Sequence, residues 1–323
     1  MNPTPPISDR PIRLYFLGSG DIGVATLETL TRAAAVRVIG VGTQPDRPSG
    51  RHQRLHATAI AVAAGRHGLP VDKPASVNAP EFIERLHGLG PDVILVVSFG
   101  QILKPPLLGA APFGCLNIHA SLLPRHRGAA PVHAAILAGD AETGVTLMQM
   151  DAGVDTGPVY RAAREPLTGR ETTPDLEQRL GRLAARHAVE WVLGVCRDGW
   201  QASPQSAGAS YARKVRKDDA RVDWRLPAAV IERQIRAYLP WPRCWFMLAG
   251  DAGERRIQVV AATVVPDAGA PGGVLRADND GWVVACGGQS LRLDRVIPEG
   301  RGEMPAADFL RGTRVGPGGG AVK

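Results

Sequence analysis

The chain has 323 residues, 44% of them hydrophobic and 21% charged, with a formal net charge of +7. That length suggests two domains, and the composition a folded globular protein; its 38 glycines and 27 prolines follow no period, which excludes a collagen-like chain. The four cysteines form no C-x-x-C or Cys/His cluster, "MNPTPPISDR" has no apolar centre, and no apolar run nears the ~20 residues of a bilayer span, so a zinc or iron–sulfur centre, a signal peptide and a membrane anchor are not expected.

In chain order, "IRLYFLG" (12–18) reads as a buried strand and "IGVATLETLTRAA" (22–34) as a helix. Between them Gly18-Ser19-Gly20-Asp21-Ile22-Gly23 is a literal G-x-G-x-x-G, the phosphate-binding fingerprint of a dinucleotide fold. "VRVIGVGT" (36–43) is a second strand, "ATAIAVAAGRHG" (57–68) a helix ended by Gly68, and "PDVILVVSFG" (91–100) a strongly apolar strand. "CLNIHASLLP" (115–124) and "TGVTLMQM" (143–150) read as strands, with a helix at 129–139 between them. This alternation predicts an α/β domain, a Rossmann-like, mostly parallel sheet covered on both faces. The longest helical pattern, 174–199, places Leu176, Leu180, Leu183, Ala188, Trp191 and Val195 near 3.6 spacing.

A turn-rich linker follows at 199–210, then one helix (227–240). Five short β runs beginning at "WFMLAG", "RRIQVV", "GGVLRAD", "GWVVACG" and "QSLRLDRVI" then come at close spacing, which suggests a small β-barrel. The expected division is a catalytic domain over 1–200, a linker over 201–213 and a barrel domain over 214–323. The C-terminal part is the more basic, which makes a nucleic-acid partner plausible; on charge alone, Arg-rich composition explains it as well. Trp241 and Trp245, flanking Pro242, read as packing at a domain junction.

In "GCLNIHASLLPRHRGAAP" (114–131), alternation turns Leu116 and Ile118 to one face and Asn117 and His119 to the other. An amide donor beside an imidazole at a strand end suits acyl transfer, because the amide can steady an oxyanion while the imidazole relays a proton. An Asn-x-His pair alone is equally a satisfied structural pair. "VTLMQMDAGVDTGPVY" (145–160) brings Asp151 and Asp155 into a glycine-framed loop, where carboxylates either cap turns or order a histidine.

Together these segments resemble the folate-dependent formyltransferases. The resemblance implies a catalytic constellation of Asn117, His119 and Asp155 and a folate site at the Ser121, Leu122, Leu123 and Pro124 loop, with Phe99 and Ile102 lining a pteridine pocket. It implies 10-formyltetrahydrofolate as donor and no metal. The loop "TQPDRPSGRHQRL" (43–55) resembles the basic loop of family members that act on initiator methionyl-tRNA, with Arg47, Arg51 and Arg54 as its cations; His52 and Gln53 depart from the usual "GRGKKL". The segments 211–224, 235–245 and 296–312 resemble parts of the second domain of those members, which implies an OB-like barrel that binds tRNA, with Lys214 and Arg216 as phosphate contacts. The resemblance spans about residues 11 to 312 and implies a monomer, while the four unclustered cysteines read as reduced thiols of a cytoplasmic protein.

Three alternatives stay open at this point, one of them a non-catalytic RNA-binding protein built on a retired enzyme, against which the intact Asn-His-Asp set argues. The G-x-G-x-x-G admits an NAD(P)-dependent oxidoreductase, although the acidic residue that would read the ribose, Asp46, sits in a proline-bounded basic loop. The shared catalytic segments also admit a sugar-nucleotide N-formyltransferase. In the formyltransferase reading, Gly18 and Gly20 supply backbone geometry other residues resist, and the corner either faces a phosphate near the tRNA 3′ end or is a plain turn.

Overall fold

In the computed structural model, residues 5–49, 54–250, 253–278, 281–313 and 315 are described. The first half of the chain runs β1 (Ile12–Gly18), a 3-10 turn (Asp21–Gly23), α1 (Val24–Arg32), β2 (Val36–Gly42), a hairpin of β3 (Arg47–Ser49) and β4 (Arg54–His56), α2 (Ala59–Arg66), β5 (Val71–Asp72), α3 (Pro80–Leu89), β6 (Val93–Val97), α4 (Pro105–Leu108) and β7 (Cys115–His119). It continues through β8 (Arg127–Gly128), α5 (Pro131–Ala138), β9 (Glu142–Gln149), β10 (Val159–Pro166), α6 (Thr173–Cys196) and β11 (Tyr211–Ala212).

Seven strands form one sheet in the order β10-β9-β7-β6-β1-β2-β5. The five from β7 to β5 are parallel, while β9 and β10 run antiparallel at one end. All five residues of β6, Val-Ile-Leu-Val-Val, are buried, as a strand covered on both faces requires. On one face Tyr15, Leu17, Ile94 and Val96 pack with Phe82 and Leu86 of α3 and Leu107 of α4. The strands and helices expected from pattern are present, with ends trimmed by one to a few residues. Several short elements went unread, and so did two longer ones, α3 and β10. α3 has Pro80 in its first turn and closes on Gly90 at φ 59, both standard helix punctuation. β10 is an edge strand whose sequence, VYRAAREP, is too polar to show a buried face.

Contact clustering divides the chain into two units. The first holds the chain up to Pro131, Glu142–Pro166 and Leu176–Arg213; the second holds Val132–Ala141, Leu167–Asp175 and the chain from Lys214 on. Residues of the 201–213 segment pair back within the first unit, Ser203 bridging to Val159 and β11 lying parallel to β8.

The second unit adds α7 (Ala228–Ala237), β12 (Trp245–Gly250), β13 (Gly253–Val265), β14 (Val274–Asp278), β15 (Gly281–Ala285), β16 (Ser290–Pro298), β17 (Met304–Pro305) and α8 (Ala306–Arg311). The five β runs read from the sequence are β12 to β16, joined in the antiparallel order β12-β13-β16-β15-β14, a small half-barrel, with β17 beside β16. Register shifts beside Ala261 let the 13-residue β13 bend, the usual device for curving a sheet. Its core is an aromatic stack: Trp224 edge-on to Phe246, Phe246 edge-on to Trp282, and Trp282 stacked on Phe309 at 5.5 Å. Trp245 packs against this core with the Arg256 guanidinium 4.5 Å from its ring, whereas Trp241 is half-exposed.

Candidate active site

β7 delivers Asn117 and His119 at the carboxyl end of the parallel sheet, and both are buried. The Asp155 loop comes from between β9 and β10. Its carboxylate is a hub: Oδ1 accepts from Asn117 Nδ2 at 3.3 Å, and Oδ2 accepts from the Gly128 backbone N–H at 2.8 Å and lies 3.6 Å from His119 Nδ1. The other imidazole nitrogen, Nε2, lies 2.9 Å from the His126 carbonyl oxygen. A carbonyl can only accept, so the proton of the neutral ring belongs on Nε2. Nδ1 then presents a lone pair to the Asp155 carboxylate, and the two attract once Nδ1 gains a proton.

Two residues of this cluster, Asp155 and His126, have a left-handed backbone. Among the described residues, four non-glycine residues have positive φ, and three of them, Ser98 (49°), His126 (57°) and Asp155 (52°), lie in first-unit loops beyond sheet strands. The conformation at His126 accompanies its carbonyl's contact with His119, and that at Asp155 the carboxylate's contacts. His126 and Gly128 supply site contacts that sequence reading missed, because they act through backbone atoms and "PRHRGAAP" carries no signal for that. Asp151 takes the humbler role open to it, capping its own loop with bonds from Gly153 N at 3.0 Å and Thr156 Oγ1 at 2.8 Å.

The G-x-G-x-x-G corner is spent on the fold. The sheet order reverses between β1 and β6, where a dinucleotide fold takes its cofactor. Here the N–H groups of Ser19 and Gly20 both donate to Ser98 O, at 3.1 and 3.3 Å, so bonds span the crevice. Gly20 has an ordinary φ of −79°, and Gly18 is not among the positive-φ glycines. What they provide is closeness: a Cβ would meet Ser98 Oγ at 2.8 Å from Gly20 and Val97 O at 2.9 Å from Gly18. The turn that follows is three residues long and begins with Asp21, an unfavourable neighbour for a phosphate.

The formyl transferase family matches residues 12–192, and the formyl transferase C-terminal domain matches residues 214–314. The methionyl-tRNA formyltransferase of Methylobacterium sp. (strain 4-46) is 41% identical over 95% of this chain and 98% of its own length. That of Paracoccus denitrificans (strain Pd 1222) is 43% identical over 93% and 97%. The chain belongs to the methionyl-tRNA formyltransferase family. It is accordingly a folate-dependent formyltransferase, and neither an oxidoreductase nor a sugar-nucleotide enzyme is favoured. Solved structures agree on the fold alone. HypX from Aquifex aeolicus, in complex with tetrahydrofolic acid, superposes with a TM-score of 0.63 at 16% identity over 93% of this chain and 47% of HypX. The methionyl-tRNA formyltransferase from Clostridium thermocellum gives 0.56 at 13% identity over 78% of this chain and 93% of its own.

The remaining expected residues of the formyltransferase fall into three groups. In the folate loop, Leu122, Leu123 and Pro124 are partly open, with Leu123–Pro124 a cis peptide. Ser121 is fully buried; its hydroxyl donates to Arg125 O at 2.6 Å and its carbonyl accepts from Thr146 Oγ1 at 2.6 Å, so it shapes the loop from within. Phe99 is a core residue and Ile102 is 70% exposed. Of the basic loop, Arg47 is exposed on β3 and reaches Gln44 Oε1 at 3.4 Å, Arg54 opens β4, and Arg51 lies outside the described residues. Lys214 and Arg216 are exposed and belong to the second unit. Among the described residues no helix is long and apolar enough to cross a membrane, and no group of His, Cys, Asp and Glu side chains converges as metal ligands.

Proposed function

We propose that this enzyme moves the formyl group of 10-formyltetrahydrofolate to the α-amino group of initiator methionyl-tRNA, with Asn117, His119 and Asp155 as its catalytic residues. The observation that carries the site assignment is the convergence of the Asn117 and His119 side chains on the carboxylate of Asp155, 38 positions after Asn117. Leu122, Leu123 and Pro124, beyond the end of β7, and Ile102, beyond the end of β6, are partly or largely open apolar side chains of the kind that suits a flat heteroaromatic ring.

Formyl transfer forms a bond from the amine nitrogen to the formyl carbon, breaks the bond from that carbon to N10, and moves one proton from the amine to N10. Asn117 Nδ2 has two N–H groups and spends one on Asp155, which leaves the second for the developing oxyanion. His119 Nδ1 receives the amine proton through water, Asp155 steadies the resulting cation, and the same proton then returns to the leaving nitrogen. His126 O fixes the ring so that Nδ1 alone does this work.

Catalysis is assigned to residues 1–200, a linker to 201–213 and tRNA contact to 214–323, with Arg47, Arg51, Arg54, Lys214 and Arg216 as phosphate contacts. The protein is read as a cytoplasmic monomer. The purified protein, given 10-formyltetrahydrofolate and charged methionine tRNAs, should formylate the initiator and discriminate against the elongator. Absence of formylmethionyl product on the initiator would overturn the reading.

A further inference from the structure

A side chain outside the Asn-His-Asp set grips the site from behind. Gln205, half-buried in the segment after α6, points its amide nitrogen at two carbonyl oxygens, Asp155 O and Gly157 O, each at 2.8 Å. Its Oε1 accepts from Arg127 Nε at 3.1 Å and Nη2 at 2.8 Å. Both N–H groups and both lone pairs of the amide are used, and the arginine donors fix which end is oxygen.

The two things it holds are the two halves of the carboxylate's cradle. One is the backbone of Asp155 itself, in the left-handed region at φ 52°. The other is Arg127, whose neighbour Gly128 donates its N–H to Asp155 Oδ2 at 2.8 Å. Losing the amide frees the Asp155 loop to relax from its strained conformation and releases Arg127 from beside Gly128. Glutamate has the same length and would keep the arginine, but it sets an acceptor against two carbonyls.

We propose that Gln205 is a positioning residue for formyl transfer, setting the Asp155 carboxylate against His119 and the Gly128 N–H. This rests on the reading of Asp155 as catalytic. The test compares Gln205→Glu, Gln205→Ala, Asp155→Asn and the Asp155→Asn/Gln205→Glu double variant by kcat, KM for both substrates, and Tm. Gln205→Glu should lower kcat by roughly 10- to 100-fold, with both KM values within about twofold and Tm within a few degrees. Its deficit against wild type should shrink as pH falls, because the protonated carboxyl regains an O–H donor toward one carbonyl. In the Asp155→Asn background the same change should cost less than about twofold. A kcat for Gln205→Glu within twofold of wild type, a loss carried only in KM, or a full multiplicative loss in the double variant would overturn the proposal. Should Gln205→Ala fold poorly, the isosteric glutamate variant carries the decision alone. A crippled Asp155→Asn beside a fully active Gln205→Glu refutes Gln205 only; a fully active Asp155→Asn refutes the assignment of Asp155 and this proposal with it.

Discussion

At the scale of single residues, the active site depends on who donates and who accepts. Asn117 and His119 are buried polar groups, and each has a partner, which meets the bland requirement of any buried amide or imidazole. The spare N–H of Asn117 and the Nδ1 lone pair of His119 exceed that requirement. Asn117→Ala and His119→Ala should each lose roughly 100- to 1000-fold in single-turnover rate while tRNA affinity stays near wild type. A near-normal rate in either variant removes that residue from the mechanism. Far from the chemistry, Asp92 shows charge used for stability. Burial pushes its carboxyl upward, but a fork of bonds from Arg10 at 2.6 and 2.7 Å and the Arg13 N–H at 2.8 Å outweigh it and hold the group below its ordinary value of 3.8. A lowered carboxylate stabilises the fold above its unfolded value and loses that contribution as pH falls through the folded one. Asp92→Asn should therefore lower Tm by roughly 3–8 °C at neutral pH, and the gap from wild type should close in acid below about pH 3.8. The cysteines stand at the other extreme: Cys115 and Cys196 are pushed up to about 12 by burial, which leaves them packing groups with unreactive thiols.

At the scale of elements, strand ends and loops divide the labour. β7 is rigid, buried and paired on both sides, so it can hold Asn117 and His119 in register. The Asp155 loop has no such frame and is pinned by close packing. A Cβ at Gly157 would collide with the Gln149 carbonyl oxygen at the end of β9, and that backbone is held in the sheet. Gly157→Ala should displace the loop and lower turnover by up to roughly 100-fold, with a smaller loss of Tm. Unchanged turnover would show that the loop tolerates the shift. The same contrast explains what the sequence disclosed. β6 and β7 are apolar enough to be read at a glance, and the Asn-x-His spacing falls inside β7. β10 hid because an edge strand needs no buried face, and the contacts of Gly128, His126 and Gln205 hid because loops bring them together without any sequence period.

At the scale of the whole molecule, the net charge of +7 favours a polyanionic partner, and the exposed Arg47 is a clear test of it. If Arg47 meets a phosphate, Arg47→Ala should weaken tRNA binding about equally at all sequences and reduce the slope of log K against log salt by about one. An unchanged slope would assign the hairpin another role. The second unit needs its aromatic core before it can present any surface. Trp282, fully buried between Phe246 and Phe309, is its centre, and Trp282→Ala should cost about 3–5 kcal/mol of stability, read from denaturant unfolding.

The sequence by itself determined the layered α/β fold and the run of short strands after it, because periodicity is a local property that survives in one dimension, and its motifs pointed to Asn117, His119 and Asp155 through a family resemblance. It also offered a cofactor fingerprint that the fold uses for something else. Only the tertiary structure decided that, by setting Ser98 O against the N–H groups of Ser19 and Gly20 and leaving them nothing to offer an anion. Tertiary structure likewise decided how Asp155 is held, since its carboxylate meets an amide and an imidazole from β7 and a backbone N–H from β8, all well before it in the chain. Hydrogen bonds between distant segments have no period, and so they are invisible until the chain is folded.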